Sequence, residues 1–222
     1  MARIGLYGGS FNPVHLGHLR TAVEARERAG LAEVWLIPAH QPPHKDPAEV
    51  APAADRLAMV ERAVAGVSGL RAESIELERS GPSYSIDTLH LLCERHPEHE
   101  FALILGFDAF RELHTWHRYE ALLAGSDFIV TTRPPDTVVA GANPALFERL
   151  PIAVSQRFCY QEDIGCYAHE SGNRLEFLPV TQLDIAASTL RHDVSRGASI
   201  RFLVPNAVYA YIHDHGLYRP KS

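Results

Sequence analysis

Two histidines, His15 and His18, stand three residues apart in the string Gly8-Gly9-Ser10-Phe11-Asn12-Pro13-Val14-His15-Leu16-Gly17-His18. At the start of a helix this spacing puts both imidazoles on one face. The glycines let the backbone turn sharply and approach a bulky anion without a Cβ in the way. Ser10 adds a hydroxyl donor, and the first N–H groups of a following helix face negative charge. The combination suits phosphate. A histidine pair also suits zinc, but the Glu of an HExxH motif is missing and no cysteine lies nearby, so no residue is expected to ligate a metal.

Other groups can serve the same anion. Lys45, in Pro42-Pro43-His44-Lys45, carries a compact positive charge on a loop stiffened by prolines. Ser188 and Thr189 can cap a helix and offer hydroxyls, with Arg191 over the same face. Asp108, in Leu105-Gly106-Phe107-Asp108, reads equally as a helix cap, and so does Ser85 in Tyr84-Ser85-Ile86-Asp87-Thr88-Leu89. Trp116 falls in a stretch too polar for a core helix, next to His117. No paired carboxylates of the glycosidase type stand out.

The elements that must hold these groups alternate along the chain. Short apolar runs at 3–7, 34–38, 70–77, 101–105 and 127–132, and a weaker one at 175–179, read as buried strands. Helical patterns lie at 18–29, stopped by Gly30, at 53–65, stopped by Gly66, and at 85–95, ending before Pro97. Residues 207–215 form a last helix between Pro205 and Gly216. This order predicts an α/β fold, a doubly wound, mostly parallel sheet whose ligands sit beyond the strands' carboxyl ends. Residues 134–151 read as a loop or a loosely held insertion containing a helix.

The 222 residues, 46% hydrophobic and 22% charged, suit one globular domain, with about 185–222 as a small helical part completing the phosphate site. A net charge of −6 without a basic block argues against a nucleic-acid binder. No run of 18 apolar residues is present, so no membrane span is expected. No signal peptide is read at Arg3 and beyond, and the cytoplasm is the expected compartment. Cys93 falls in a helical pattern and is expected in the core; Cys159 and Cys166 are expected as free thiols rather than a pair.

The opening string resembles the signature of the HxGH nucleotidyltransferases, and most closely that of bacterial nicotinate-nucleotide adenylyltransferases. Those enzymes join ATP and nicotinate mononucleotide, release pyrophosphate and serve NAD synthesis. Segments PPHK, SYSIDTL, GFD and STLR are similar to the same family, with Ser85 where threonine is common, His117 where tyrosine is frequent and Ala187 where serine is usual. The resemblance implies ATP contacts at Gly8, Gly9, Ser10, Phe11, His15, His18, Gly106, Asp108, Ser188, Thr189 and Arg191. It implies mononucleotide contacts at Lys45, Tyr84, Ser85, Asp108, Trp116, His117 and Arg133, with Trp116 stacked on the pyridine ring. His18, His15, Lys45 and Arg191 would carry catalysis, with Mg2+ accompanying ATP. Either a monomer or a homo-oligomer fits. Sister adenylyl- and cytidylyltransferases, a non-catalytic nucleotide sensor and a zinc hydrolase are the alternatives.

Overall fold

Apolar side chains that alternate along a strand must find cover on both sides, and the computed structural model, which describes residues 1–42, 46–132 and 142–220, provides it with helices. Strand β1 (Ala2–Gly9) leads into α1 (Leu16–Arg28), β2 (Glu33–Pro38), α2 (Ala53–Val64) and β3 (Leu70–Ala72). Then come α3 (Ser85–Arg95), β4 (His99–Gly106), α4 (Phe107–Arg111), α5 (Tyr119–Gly125) and β5 (Asp127–Thr132). The second part runs α6 (Pro144–Phe147), α7 (Ile152–Ser155), β6 (Phe158–Gln161), β7 (Cys166–His169), β8 (Arg174–Pro179), α8 (Ala187–Ser195) and α9 (Asn206–Asp214).

One eight-stranded sheet has the order β3-β2-β1-β4-β5-β8-β7-β6. The strands β3, β2, β1, β4, β5 and β8 pair in parallel, whereas β6 and β7 are antiparallel. Strand order reverses between β1 and β4, the place where such sheets leave a crevice. Val34, Leu36, Ala102, Ile104 and Ile129 face one core, shared with Ala22, Met59, Leu190, Val208 and Ile212 of the helices. Trp35, Ile37, Leu103, Phe128 and Val130 face the other, with Ile86, Leu89 and Leu92. Each of the Val, Leu, Ile, Met and Phe side chains among these contributes about 1.5–3 kcal/mol on burial. A Cβ on Gly5 would come within 2.7 Å of both Ile104 and Leu31, so glycine at mid-strand lets these side chains close over β1. The C-terminal helix is tied down by Tyr211, whose hydroxyl donates to Asp55 at 2.8 Å.

Several expectations change. The 70–77 strand stops at Ala72, and Ile75–Glu78 turns into a short 3-10 helix that buries Ile75 and Glu76. Ser85 does not cap α3: the cap position belongs to Tyr84, and no side-chain bond is made there. Likewise Ala186, not Ser188, holds the cap position of α8. Cys93 is exposed, because Leu89 and Leu92 take the inward face of α3 and position 93 turns outward. Cys159 and Cys166 are free; they lie on the β6–β7 hairpin, where their register partners are Ala168 and Gln161. Helices α6 and α7 fall in or just beyond the stretch read as an insertion, whose 134–141 part lies outside the described residues.

Candidate active site

The turn that leaves β1 at the point of reversal carries the histidines. His15 takes the N-cap position of α1 and His18 its third residue, with the two rings stacked at 3.6 Å. The backbone N–H of His15 donates to Nδ1 of His18 at 3.3 Å. That contact favours the neutral tautomer in which Nε2 carries the proton, so His18 can donate outward. Phe11, buried and edge-on to His18 at 5.1 Å, supports the ring from behind and lines neither of the cavities described below. A Cβ on Gly17 would come within 3.1 Å of the His15 ring, so a larger residue there would press on the stacked histidines.

Two cavities share this turn. A cavity of about 340 Å3 is lined by Tyr7, His15, Gly17, His18, Gly106 and the 180–186 segment. Another of about 500 Å3 is lined by Gly8, Gly9, Ser10, Glu76, Tyr84, Ser85, Trp116 and His117, among others. Gly106 thus joins the histidines, while the two glycines and Ser10 join the aromatic group. In the larger cavity His117 stacks on Tyr84 at 4.3 Å. Asp108 lies exposed in the first turn of α4, and Ser188 and Thr189 lie exposed on the first turn of α8; none of the three lines either cavity. Arg191 reaches the turn itself, donating from Nη1 to the Asn12 carbonyl at 3.0 Å. Lys45 and Arg133 lie outside the described residues.

Residues that sequence reasoning passed over hold this arrangement in place. The Asn12 side chain donates to Glu49 O at 2.9 Å and accepts from Ala51 N at 3.1 Å and the Tyr218 hydroxyl at 2.9 Å. Burial pushes the Tyr218 hydroxyl far above its ordinary pKa, so it stays a donor. Arg56 is 1% exposed and spends its guanidinium on three carbonyls, Ala51 O at 2.8 Å, Ser10 O at 2.9 Å and His40 O at 3.1 Å. Glu24, equally buried, accepts from Thr181 N at 2.9 Å and fixes the segment that lines the smaller cavity. Burial disfavours its carboxylate, yet bonds from Thr181 and Arg20 and the charge of Arg28 outweigh that and hold its pKa below the ordinary range. Glu76 Oε1 accepts from Thr88 at 2.7 Å, while Oε2 is buried without a hydrogen-bond partner on the wall of the larger cavity. The signal for Arg56 was available: a charged residue three and four positions before Met59 and Val60, on the apolar face of α2.

The sequence pattern of the cytidylyltransferase-like family matches residues 6–190, so the chain belongs to that class of proteins. A probable nicotinate-nucleotide adenylyltransferase of Syntrophotalea carbinolica is 41% identical over 220 residues, covering 99% of each chain. Another so named, from Pseudomonas fluorescens, is 45% identical and covers 98% of this chain and 97% of its own. Within the class, the chain therefore belongs to the nicotinate-nucleotide adenylyltransferase family. Among solved structures, a Plasmodium falciparum nicotinic acid mononucleotide adenylyltransferase complexed with NaAD overlays with a TM-score of 0.73, covering 98% of each chain. At 18% identity that likeness speaks for the fold. Among the described residues, no helix is long and apolar enough to cross a membrane.

Proposed function

We propose that this chain transfers the adenylyl group of ATP to nicotinate mononucleotide in the cytoplasm, forming nicotinate adenine dinucleotide and pyrophosphate for NAD synthesis. The observation that carries this reading is the pair of cavities flanking one glycine–histidine turn, with His18 lining the smaller of them and its Nδ1 held by the His15 backbone N–H. ATP fits the histidine side and the mononucleotide the aromatic side. The mononucleotide phosphate, already an anion, attacks the α-phosphorus; the bond to the bridging oxygen breaks and pyrophosphate leaves with its electron pair. No protein nucleophile is required. What the chain supplies is in-line placement and donors aimed at the oxygens where charge grows.

His18 is the first of these donors, and His15 orients it through the stacked ring and the backbone bond. Gly8, Gly9 and Ser10 offer backbone and hydroxyl donors on the wall nearest the attacking phosphate. Arg191 braces the turn through Asn12 and adds positive charge beside it. Trp116 stacks on the pyridine ring, Tyr84, Ser85 and His117 frame it, and Glu76 Oε2 accepts from a ribose hydroxyl. Asp108 and Gly106 meet the adenosine, Ser188 and Thr189 the triphosphate, and Lys45 and Arg133 the phosphates, as the resemblance implies. Among the described residues, Asp184 is the one carboxylate lining the smaller cavity, which suits Mg2+ held chiefly by phosphate and water; bound there it would neutralise triphosphate charge.

Pyrophosphate release measured with ATP and either nicotinate or nicotinamide mononucleotide tests the reading. Turnover with nicotinate mononucleotide is expected to exceed turnover with the amide. Nucleotide binding without any pyrophosphate would replace the enzyme by a sensor.

A further inference from the structure

At the far end of the sheet from both cavities, the connection between α3 and β4 brings together His96, Glu98 and His99. Among the described residues this is a group in which one ligand atom from each side chain lies within 4.8 Å of the others. It begins about 23 Å from the carboxyl end of β4, since seven residues at about 3.3 Å each separate His99 from Gly106. Nothing in the adenylyl-transfer reading uses it.

The turn itself builds the group. His96 ends α3, Pro97 forbids the helix to continue, and His99 N donates to His96 O at 3.0 Å. That bond closes the backbone so that the two imidazoles lie nearly parallel, at 16° with centroids 5.8 Å apart. Trp35, fully buried, packs edge-to-face on His96 at 5.0 Å and on His99 at 6.1 Å. The rings are therefore held before any ligand arrives. His99 Nδ1 is buried without a hydrogen-bond partner, which leaves Nε2 as its usable nitrogen. That nitrogen is 3.4 Å from Glu98 Oε1, and His96 Nδ1 is 3.6 Å from the same oxygen.

These separations decide which ligand fits. Donors bound at about 2.0–2.2 Å in a tetrahedron sit roughly 3.3–3.6 Å apart. Two imidazoles and one carboxylate suit zinc and other borderline divalent cations, and are a poor set for Mg2+ or Ca2+. The half-exposed flank leaves a fourth position open to water.

We propose that His96 Nδ1, Glu98 Oε1 and His99 Nε2 form a zinc-binding site on the amino-end face of the sheet, separate from the nucleotide site.

Titration of the metal-free full chain with Zn2+ by calorimetry, repeated for three variants, tests this. The wild-type chain is expected to take up one equivalent at this site. Glu98→Gln and His99→Asn should each weaken binding about tenfold or more, because even groups that merely orient a ligand are worth that much. Glu98 is 61% exposed as a side chain, so its amide variant should keep the wild-type circular dichroism and melting curve, separating lost binding from lost folding. Absence of zinc uptake by the wild type would overturn the proposal. So would uptake that survives Glu98→Gln and His99→Asn but disappears in His18→Ala, since the metal would then belong to the histidine pair of the turn.

Discussion

The two cavities differ in what holds their walls. On the histidine side, His18 stands on α1 and Gly106 at the end of β4, and the 180–186 segment is strapped to buried Glu24 through the backbone N–H of Thr181. On the aromatic side, Trp116 and His117 lie in the connection after α4, and Tyr84 just before α3. There the wall depends on stacking, Tyr84 against His117 at 4.3 Å. In the proposed function, the contrast separates an arm that acts on the transition state from a flat surface that recognises a ring.

If that division is right, the largest effect belongs to His18→Ala. It should lower kcat about 100-fold or more, the scale of one lost oxyanion donor, while KM for nicotinate mononucleotide stays near wild type. Steady-state kinetics with both substrates varied would reveal it, and near-normal turnover would break the comparison at its stronger side. Trp116→Ala should do the reverse, raising KM for the mononucleotide about tenfold, the size of one lost aromatic contact, with kcat and the KM for ATP little changed. An equal rise for ATP would mean that the walls are not divided between the substrates. Smallest is Tyr218→Phe, which removes the hydroxyl that donates to Asn12 at 2.9 Å. It should cost about 1 kcal/mol and lower the melting temperature by about 2–4 °C. Because the turn serves both cavities, any change in the two KM values should be by the same factor; a change confined to one would place the turn on that side alone.

Much of this was legible in the residues. Apolar runs located β1, β2, β4, β5 and β8 because buried parallel strands are nearly continuous in apolar character, and 85–95 was right at both ends. The run at 70–77 misled because a 3-10 turn can bury Ile75 as well as a strand can. The β6–β7 hairpin was missed, since Cys159, Tyr160 and Gln161 are all exposed and leave no alternation to read. For the site, spacing put His15 and His18 on one face, as the structure has them, but gave no sign of the two cavities around them. Ser10 and the two glycines line the aromatic side rather than the histidine side, a consequence of which way the chain leaves β1. The supports, Arg56, Glu24 and Tyr218, act through backbone carbonyls, amides and the Asn12 side chain 206 positions away. Short-range patterns carry no trace of such pairings.

That 206-position span also orders events in time. The glycine–histidine turn is synthesised well before the tyrosine that closes its network. At about 5–20 residues per second, on the order of 10–40 s separate their synthesis. A nascent chain therefore holds the glycine–histidine turn long before it holds the bond that finishes its mounting. The mounting of the turn is completed only once Tyr218 has been made.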